Sequence, residues 1–228
     1  MEPEIDRDGV VEERYSRHWD FLDVQRLHTL PIRIVGAGSV GSFTCLSLSK
    51  MGAKNIKIYD DDMVDEHNIS NQFYRTQDVG EFKVDALQNM IMDFEGIPIQ
   101  IENEKWYGNN DCNGIIISAV DNMNARKRIW DKIKGNNDVS LFIDPRMGGK
   151  IARIYTVNPM NPGSFEDTLY DDEEAEQERC TARTIIYNVL GISSFICKIV
   201  EDWMKDGVDS CNELILDYET YTLMVRDS

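Results

Sequence analysis

Three glycines in the sequence GAGSVG, at residues 36–41, have the spacing of a phosphate-binding turn. In a G-x-G-x-x-G turn, the missing side chains let phosphate oxygens approach backbone N–H groups at the positive end of a helix. An apolar run at residues 32–35 precedes the turn and a helical pattern follows it, as this motif requires. Asp60 ends the next predicted strand, where an acid accepts hydrogen bonds from ribose hydroxyls. The turn and Asp60 predict a nucleotide site, and a purely structural turn is the alternative.

The glycine turn does not distinguish ATP from NAD, because both ligands present a ribose and a phosphate chain. The segment that follows Asp60 is informative, since residues 60–73 read DDDMVDEHNISNQF and are strongly polar. A dehydrogenase needs nothing polar there. An NAD-dependent oxidoreductase is therefore the weaker hypothesis, and the sequence offers no identifiable acid or base for a hydride site.

Four motifs follow one another in the order found in a known family. Residues 60–72 resemble the ThiF/MoeB signature D-x-D-x-V-x-x-x-N-x-x-R-Q. The sequence GEFK at 80–83 is similar to the G-x-x-K of that family, and RYSR at 14–17 is similar to its N-terminal R-Y-x-R. The sequence DNMNAR at 121–126 resembles its D-N-x-x-x-R. The chain thus resembles ubiquitin-activating-enzyme-like adenylyltransferases of compact prokaryotic or viral type.

This resemblance implies a reaction between a carboxylate and ATP. The C-terminal carboxylate of a ubiquitin-like or sulfur-carrier protein with a free tail attacks the α-phosphate, giving an acyl-adenylate and pyrophosphate. A carboxylate is already ionised at neutral pH, so the reaction needs no general base. Fixed cations and Mg²⁺ offset the repulsion between the two anions. The resemblance therefore implies ATP and Mg²⁺ as the ligands of the site.

The resemblance also assigns roles to individual residues. Asp60 binds the ribose, Asp121 holds magnesium, and Lys83 contacts the triphosphate and is counted with Asp121 among the catalytic residues. The remaining residues implied in nucleotide binding are Gly36, Gly38, Gly41, Asp62, Asn68, Asn71, Gln72 and Asn122.

Two arginine positions bear on assembly and activity. By resemblance, Arg17 of the N-terminal motif reaches the nucleotide of a second subunit, which implies a homodimer; a solvated surface charge is the alternative. Asn71 stands where the family has an arginine, so a cation must come from elsewhere, and Arg75 is a candidate. Because of this substitution, the alternative hypothesis is a catalytically inert nucleotide-binding subunit that supports another activating enzyme.

Cys180 begins the sequence CTAR, just before a long helical pattern. A helix N-terminus and the adjacent Arg183 would lower the pKa of a thiol there. The sequence also resembles the C-T-x-R around the thioester-forming cysteine of some eukaryotic activating enzymes. Cys180 is therefore a candidate acceptor of the acyl group or of a sulfur atom, and an ordinary residue at a helix start is the alternative.

Composition excludes several classes of protein. The formal net charge of -17 opposes general nucleic-acid binding and binding to anionic membranes. No apolar run reaches the ~20 residues that span a bilayer, and the acidic N-terminus does not resemble a signal peptide. The five cysteines include no C-x-x-C pair, so we expect no structural zinc and a reducing, cytoplasmic compartment.

The order of patterns along the chain predicts an α/β fold. We expect a Rossmann-like, mostly parallel sheet flanked by helices, with antiparallel strands in the second half. We expect an N-terminal helical arm at 1–30 and a single adenylation domain at 31–228, with an exposed acidic crossing loop at about 159–180. Strands are predicted at 32–35, 56–60, 99–101, 114–119, 139–143, 151–157 and within 214–225, and helices at 14–30, 40–51, 83–94, 124–133 and 182–204.

Overall fold

A computed structural model describes residues 13–108, 112–170, 185–208 and 211–227 of the chain. Cys180, and the rest of the predicted crossing loop from residue 171 onward, lie outside the described residues. The part of that segment that is described carries a short 3-10 helix, Phe165–Thr168, whose Phe165 side chain is fully buried.

In the described parts of the chain, eight strands form one sheet in the order β3-β2-β1-β4-β5-β6-β7-β8. The neighbouring pairs from β3 to β5 are parallel and those from β5 to β8 are antiparallel. This confirms the predicted fold class. The strands are β1 (Ile32–Val35), β2 (Ile56–Tyr59), β3 (Gln100–Glu102), β4 (Gly114–Ser118), β5 (Val139–Gly148), β6 (Ile151–Val157), β7 (Cys211–Asp217) and β8 (Thr222–Asp227).

Helices cover both faces of the sheet. The described α-helices are α1 (Val24–Thr29), α2 (Ser39–Met51), α3 (Lys83–Glu95), α4 (Met123–Ile133) and α5 (Ile186–Asp206). Apolar residues of α1, α2, α3 and α5 share one core cluster, whereas α4 packs on the other face in a second cluster that includes Phe142 and Phe165. Within the described parts of the chain, no helix is both long enough and apolar enough to cross a membrane.

Three sequence-based boundaries differ from the structure. The predicted helix at 14–30 is interrupted, because Asp23 accepts a hydrogen bond from the Arg26 backbone N–H and starts α1 anew. Strand β5 continues to Gly148 instead of ending near residue 143, because β6 pairs with it along Phe142 to Gly148. The strand-like segment at 214–225 is a hairpin of β7 and β8, with Tyr221 at a positive φ of 55° in its turn.

The chain order reverses at β1, which lies between β2 and β4. In an open parallel sheet, ligands bind outside the carboxyl ends of the strands at such a reversal. The segments that follow β1, β2 and β4 are those that carry the glycine turn, Asp60 and Asp121. The topology thus gathers the predicted site residues at one edge of the sheet.

Candidate active site

A cleft of about 650 Å³ opens at the edge of the sheet where the chain order reverses. Residues from four of the predicted motif segments meet in its wall. The predicted site residues that line it are Gly36, Gly38, Asp60, Asp62, Gln72, Lys83, Asp121 and Asn122. Gly41, Asn68, Asn71 and Arg17 are not among the lining residues.

The three glycines of the turn serve two purposes. Gly36 has a φ of +101°, and a Cβ atom there would lie 2.4 Å from the carbonyl oxygen of Ala119. A Cβ atom at Gly41 would lie 1.9 Å from the carbonyl oxygen of Gly36. At Gly38, in contrast, a Cβ atom would meet nothing within 4 Å. The first and third glycines therefore permit close packing, and the second leaves open space before the first turn of α2, where a phosphate group fits.

Asp60 and Lys83 form a linked pair in the floor of the cleft. The Asp60 carboxylate accepts hydrogen bonds from the backbone N–H groups of Ala37, at 2.7 Å, and Asp62, at 2.8 Å. Burial raises the pKa of Asp60, and the Ala37 hydrogen bond and the Lys83 charge oppose that rise. The buried Lys83 ammonium lies 2.6 Å from an Asp62 oxygen and 3.9 Å from an Asp60 oxygen. A cation is thus held in the cleft next to the acid predicted to bind a ribose.

Asp121 and Asn122 stand between β4 and α4. The Asn122 side-chain oxygen accepts a hydrogen bond from the Ala125 backbone N–H and caps α4. Its side-chain NH₂ donates to Asp121 at 3.0 Å. The Asp121 carboxylate is exposed to the cleft, and a carboxylate oxygen is a ligand that Mg²⁺ accepts. Its role as a metal ligand stays a prediction.

Another acidic group, Asp60, Asp61 and Asp62, has carboxylate oxygens within 4.8 Å of one another. Lys83 already lies against two of these three residues. The ammonium group supplies the positive charge that a metal ion would otherwise bring there.

Asn68 organises the polar segment instead of lining the cleft. It is buried, and its side-chain oxygen accepts a hydrogen bond from the Asp65 backbone N–H at 2.8 Å. Its backbone carbonyl accepts hydrogen bonds from the N–H groups of Asn71 and Gln72. Gln72 does reach the cleft, and among the described residues its buried side-chain oxygen has no hydrogen-bond partner. An unsatisfied acceptor in this wall suits a ligand that donates a hydrogen bond.

Arg75 lies outside the cleft. Its guanidinium binds Asp78, with a closest distance of 2.8 Å, and approaches Asp93 at 3.4 Å. Asp78 is only 1% exposed, so this pair is held firmly. Arg75 therefore does not supply the cation that Asn71 lacks.

Arg126 holds the backbone that precedes Asp121. The buried guanidinium donates to the carbonyl oxygen of Val120 and to Asp144. Asp144 is fully buried and also accepts a hydrogen bond from Arg146 at 2.8 Å. The predicted strand at 139–143 places the residues after it outside the strand, but the structure extends β5 to Gly148. Residues 144–148 belong to β5, and only Pro145 and Met147 of them line the cleft.

The N-terminal motif divides into an anchor and an exposed arginine. The Tyr15 hydroxyl donates to Glu95 at 3.0 Å, and Arg14 and Lys50 also bind this buried carboxylate. Arg17 follows in a 3-10 turn, Ser16–His18, and is exposed.

Comparisons with known proteins agree with this geometry. The model of the ThiF family matches residues 13–200. The chain belongs to the ThiF family. It is 29% identical over 155 residues to the adenylyltransferase and sulfurtransferase UBA4 of Scheffersomyces stipitis, covering 61% of this chain and 33% of that protein. It is 35% identical over 85 residues to the probable adenylyltransferase/sulfurtransferase MoeZ of Mycobacterium tuberculosis, covering 35% of this chain and 22% of that protein.

A solved structure of the E. coli protein MccB, crystallised with AMPCPP and MccA, has the same fold. Its TM-score is 0.79 at 15% identity, and the match covers 94% of this chain and 71% of MccB. The chain spans about a quarter to a third of the length of the first two curated relatives it matches, both of them UBA4 proteins.

Several residues that line the cleft of this ThiF-family chain lie outside its sequence motifs. Lys105, Trp106 and Tyr107 follow β3, and Arg128 projects from α4; all four line the cleft. Neither glycine spacing nor strand-end position singles them out in the sequence. The aromatic pair Trp106-Tyr107 within a polar segment is the one feature that could have drawn attention.

Proposed function

We propose that this chain is an ATP-dependent adenylyltransferase acting on the C-terminal carboxylate of a ubiquitin-like or sulfur-carrier protein. The observation that carries the proposal is the meeting of an open glycine turn with a buried lysine in one cleft. The space at Gly38 accommodates a phosphate, and Lys83 lies in the same wall. Asp60, held by the turn itself through the Ala37 N–H, is suited to bind the ribose.

The chemistry follows from charge. An oxygen of the partner's carboxylate attacks the α-phosphorus, the bond to the oxygen that bridges to the β-phosphate breaks, and pyrophosphate leaves with that electron pair. Backbone N–H groups of the turn hold the phosphate chain, and Lys83 exchanges its contact with Asp62 for one with a phosphate oxygen as negative charge develops. Magnesium, which Asp121 would bind, supplies further charge neutralisation when present.

The proposal extends to assembly and location. A homodimer is supported by the exposed Arg17 on an anchored N-terminal segment, from which it could serve the cleft of a second copy. As a further step of the same proposal, the Cys180 thiolate attacks the acyl carbon of the adenylate, the bond to the phosphate oxygen breaks, and AMP leaves as the thioester forms. A cytoplasmic location suits the cysteine pattern.

Calorimetric titration tests the nucleotide part of this proposal. We expect magnesium-dependent ATP binding by the wild-type chain, and at least a tenfold loss of affinity in Asp121→Ala, about 1.4 kcal/mol. Asp131→Ala, on α4, is the matched control, because Asp131 is exposed and does not line the cleft. Binding of NAD in place of ATP would overturn the proposal.

Pyrophosphate exchange tests the catalytic part. The wild-type chain should incorporate labelled pyrophosphate into ATP only when a carboxylate partner is added, and Lys83→Gln should lose this exchange. ATP binding without exchange, across ubiquitin-like and sulfur-carrier partners, would favour an inert subunit. Such a result would be explained by Asn71, which stands in place of a family arginine, and by Arg75, whose charge is paired with Asp78.

A further inference from the structure

The cleft changes character along its length. Asp121 and the N-terminus of α4 mark one end, which is polar. Further along α4, Ala125, Arg128 and Ile129 line the cleft, and their spacing of three and four residues places them on one helix face. Arg128 is six residues beyond the cap Asn122, which corresponds to about 9 Å along the helix axis. The second end of the cleft is thus well separated from the polar end.

Trp106 packs at this second end. It lies against the core cluster that contains Ile129, and its ring is edge-on to Tyr59 with centroids 6.4 Å apart. A Cβ atom at Gly108 would lie 3.0 Å from Lys132 of α4 and 3.2 Å from the Trp106 ring, so the segment after β3 runs close to the later turns of that helix. Packing on Tyr59 therefore holds Trp106 in the wall of the cleft.

Arg128 differs from the other cations of the cleft. Lys83, Lys105 and Arg126 each lie within 4.0 Å of a carboxylate oxygen, on Asp62, Asp61 and Asp144 respectively. The Arg128 guanidinium has no ion pair or hydrogen bond with any residue in the described parts of the chain. A planar guanidinium without a carboxylate partner is available to stack on an aromatic face.

We propose that Trp106 and Arg128 hold the purine base of the bound nucleotide and thereby set base affinity. The inference rests on the proposed function, because it assumes that a nucleotide occupies the cleft. With the phosphates at Gly38 and the ribose at Asp60, the base extends toward the aromatic end. Neither residue belongs to the ThiF/MoeB motifs of the chain. They are binding residues that this chain supplies from the segment after β3 and from α4.

Tryptophan fluorescence tests contact with Trp106 directly. The chain has four tryptophans, and within the described structure Trp106 is the one that lines the cleft. ATP and adenosine should both change the fluorescence of the wild-type chain, and Trp106→Phe should remove most of that change. Trp203→Phe, which alters a tryptophan packed on Arg26 away from the cleft, should retain it. A ligand-induced change that persists in Trp106→Phe would overturn the assignment.

Affinity measurements separate base contacts from phosphate contacts. Trp106→Leu should weaken ATP and adenosine by a similar factor, about tenfold for one aromatic platform, and leave inorganic tripolyphosphate unaffected. Arg128→Gln should also weaken ATP and adenosine alike, while Lys132→Gln, on the same helix but outside the cleft lining, should change neither. A loss confined to ATP in Arg128→Gln would make Arg128 a phosphate ligand and overturn its assignment to the base.

The same titrations distinguish failure of this inference from failure of the proposed function. If wild-type protein binds neither ATP nor adenosine, the nucleotide site itself is wrong and this inference is overturned with it. If ATP binds and depends on Asp121, but Trp106→Leu and Arg128→Gln keep full affinity for adenosine, the proposed function stands and the base site is overturned.

Discussion

The parallel and antiparallel halves of the sheet contribute unequally to the cleft. The segments that follow β1, β2, β3 and β4 all supply lining residues, whereas the second half of the sheet supplies only Pro145 and Met147 of β5 among the described residues. Parallel strands end at the same edge, so the loops after them meet there. Antiparallel strands end at alternate edges, and the turns after β5 and β7 are short. The parallel half of the sheet therefore supplies most of the cleft wall, and the antiparallel half supports it.

Asp144 joins the two halves, and replacing it should have the largest effect on stability. It is fully buried in β5 and bound by Arg126 of α4 and by Arg146. Asp144→Ala leaves the largely buried guanidinium groups of Arg126 and Arg146 without their carboxylate partner. We therefore expect the free energy of unfolding to fall by about 3–5 kcal/mol. Chemical denaturation measures this loss.

A matched substitution separates the effect of burial from the effect of removing a negative charge. Asp202→Ala removes a carboxylate from an exposed pair with Lys198 and should cost less than about 1 kcal/mol. Equal losses of unfolding free energy in the two variants would mean that Asp144 stabilises the fold no more than an exposed carboxylate does.

Two substitutions in the glycine turn of the parallel half should have different effects, one on stability and the other on ATP binding. Gly41→Ala places a methyl group 1.9 Å from the Gly36 carbonyl oxygen, so backbone must move and we expect a loss of about 2–3 kcal/mol. Gly38→Ala meets no protein atom within 4 Å, so its stability should change by less than about 1 kcal/mol. It should nevertheless weaken ATP binding, because the methyl group occupies the space assigned to a phosphate. Thermal unfolding and calorimetry on both variants check this, and unchanged ATP affinity in Gly38→Ala would contradict the phosphate assignment.

The same contrast explains what could be predicted from the sequence. The strand, glycine turn and helix at residues 32–51 are consecutive, so local patterns indicated both the elements and the site there. Strand β5 was predicted too short because its second part is fixed by pairing with β6, which a local pattern does not reveal. Trp106 and Arg128 were missed because only the packing of the segment after β3 near α4 brings them into one cleft.

The polar segment after Asp60 shows the limit of motif reasoning. The spacing around Asn68 matched the family pattern, but spacing does not say which side chain faces a ligand. In the structure Asn68 satisfies the Asp65 N–H, and Gln72 reaches the cleft wall. The predicted role of Asn68 in nucleotide binding stays a prediction.

A substitution on the outermost strand should have the smallest effect on the free energy of unfolding. It tests whether the outer strand of the antiparallel half is exposed to solvent. β8 is the last strand of the sheet, and Val225 on it is 65% exposed. Val225→Thr keeps the side-chain shape, so we expect a change in unfolding free energy within about 0.5 kcal/mol. Ile117→Val in β4, where the residue is fully buried, should cost about 1 kcal/mol by loss of one methylene. If denaturation shows Val225→Thr to be the more costly change, then β8 is covered in solution and the antiparallel half forms an interface.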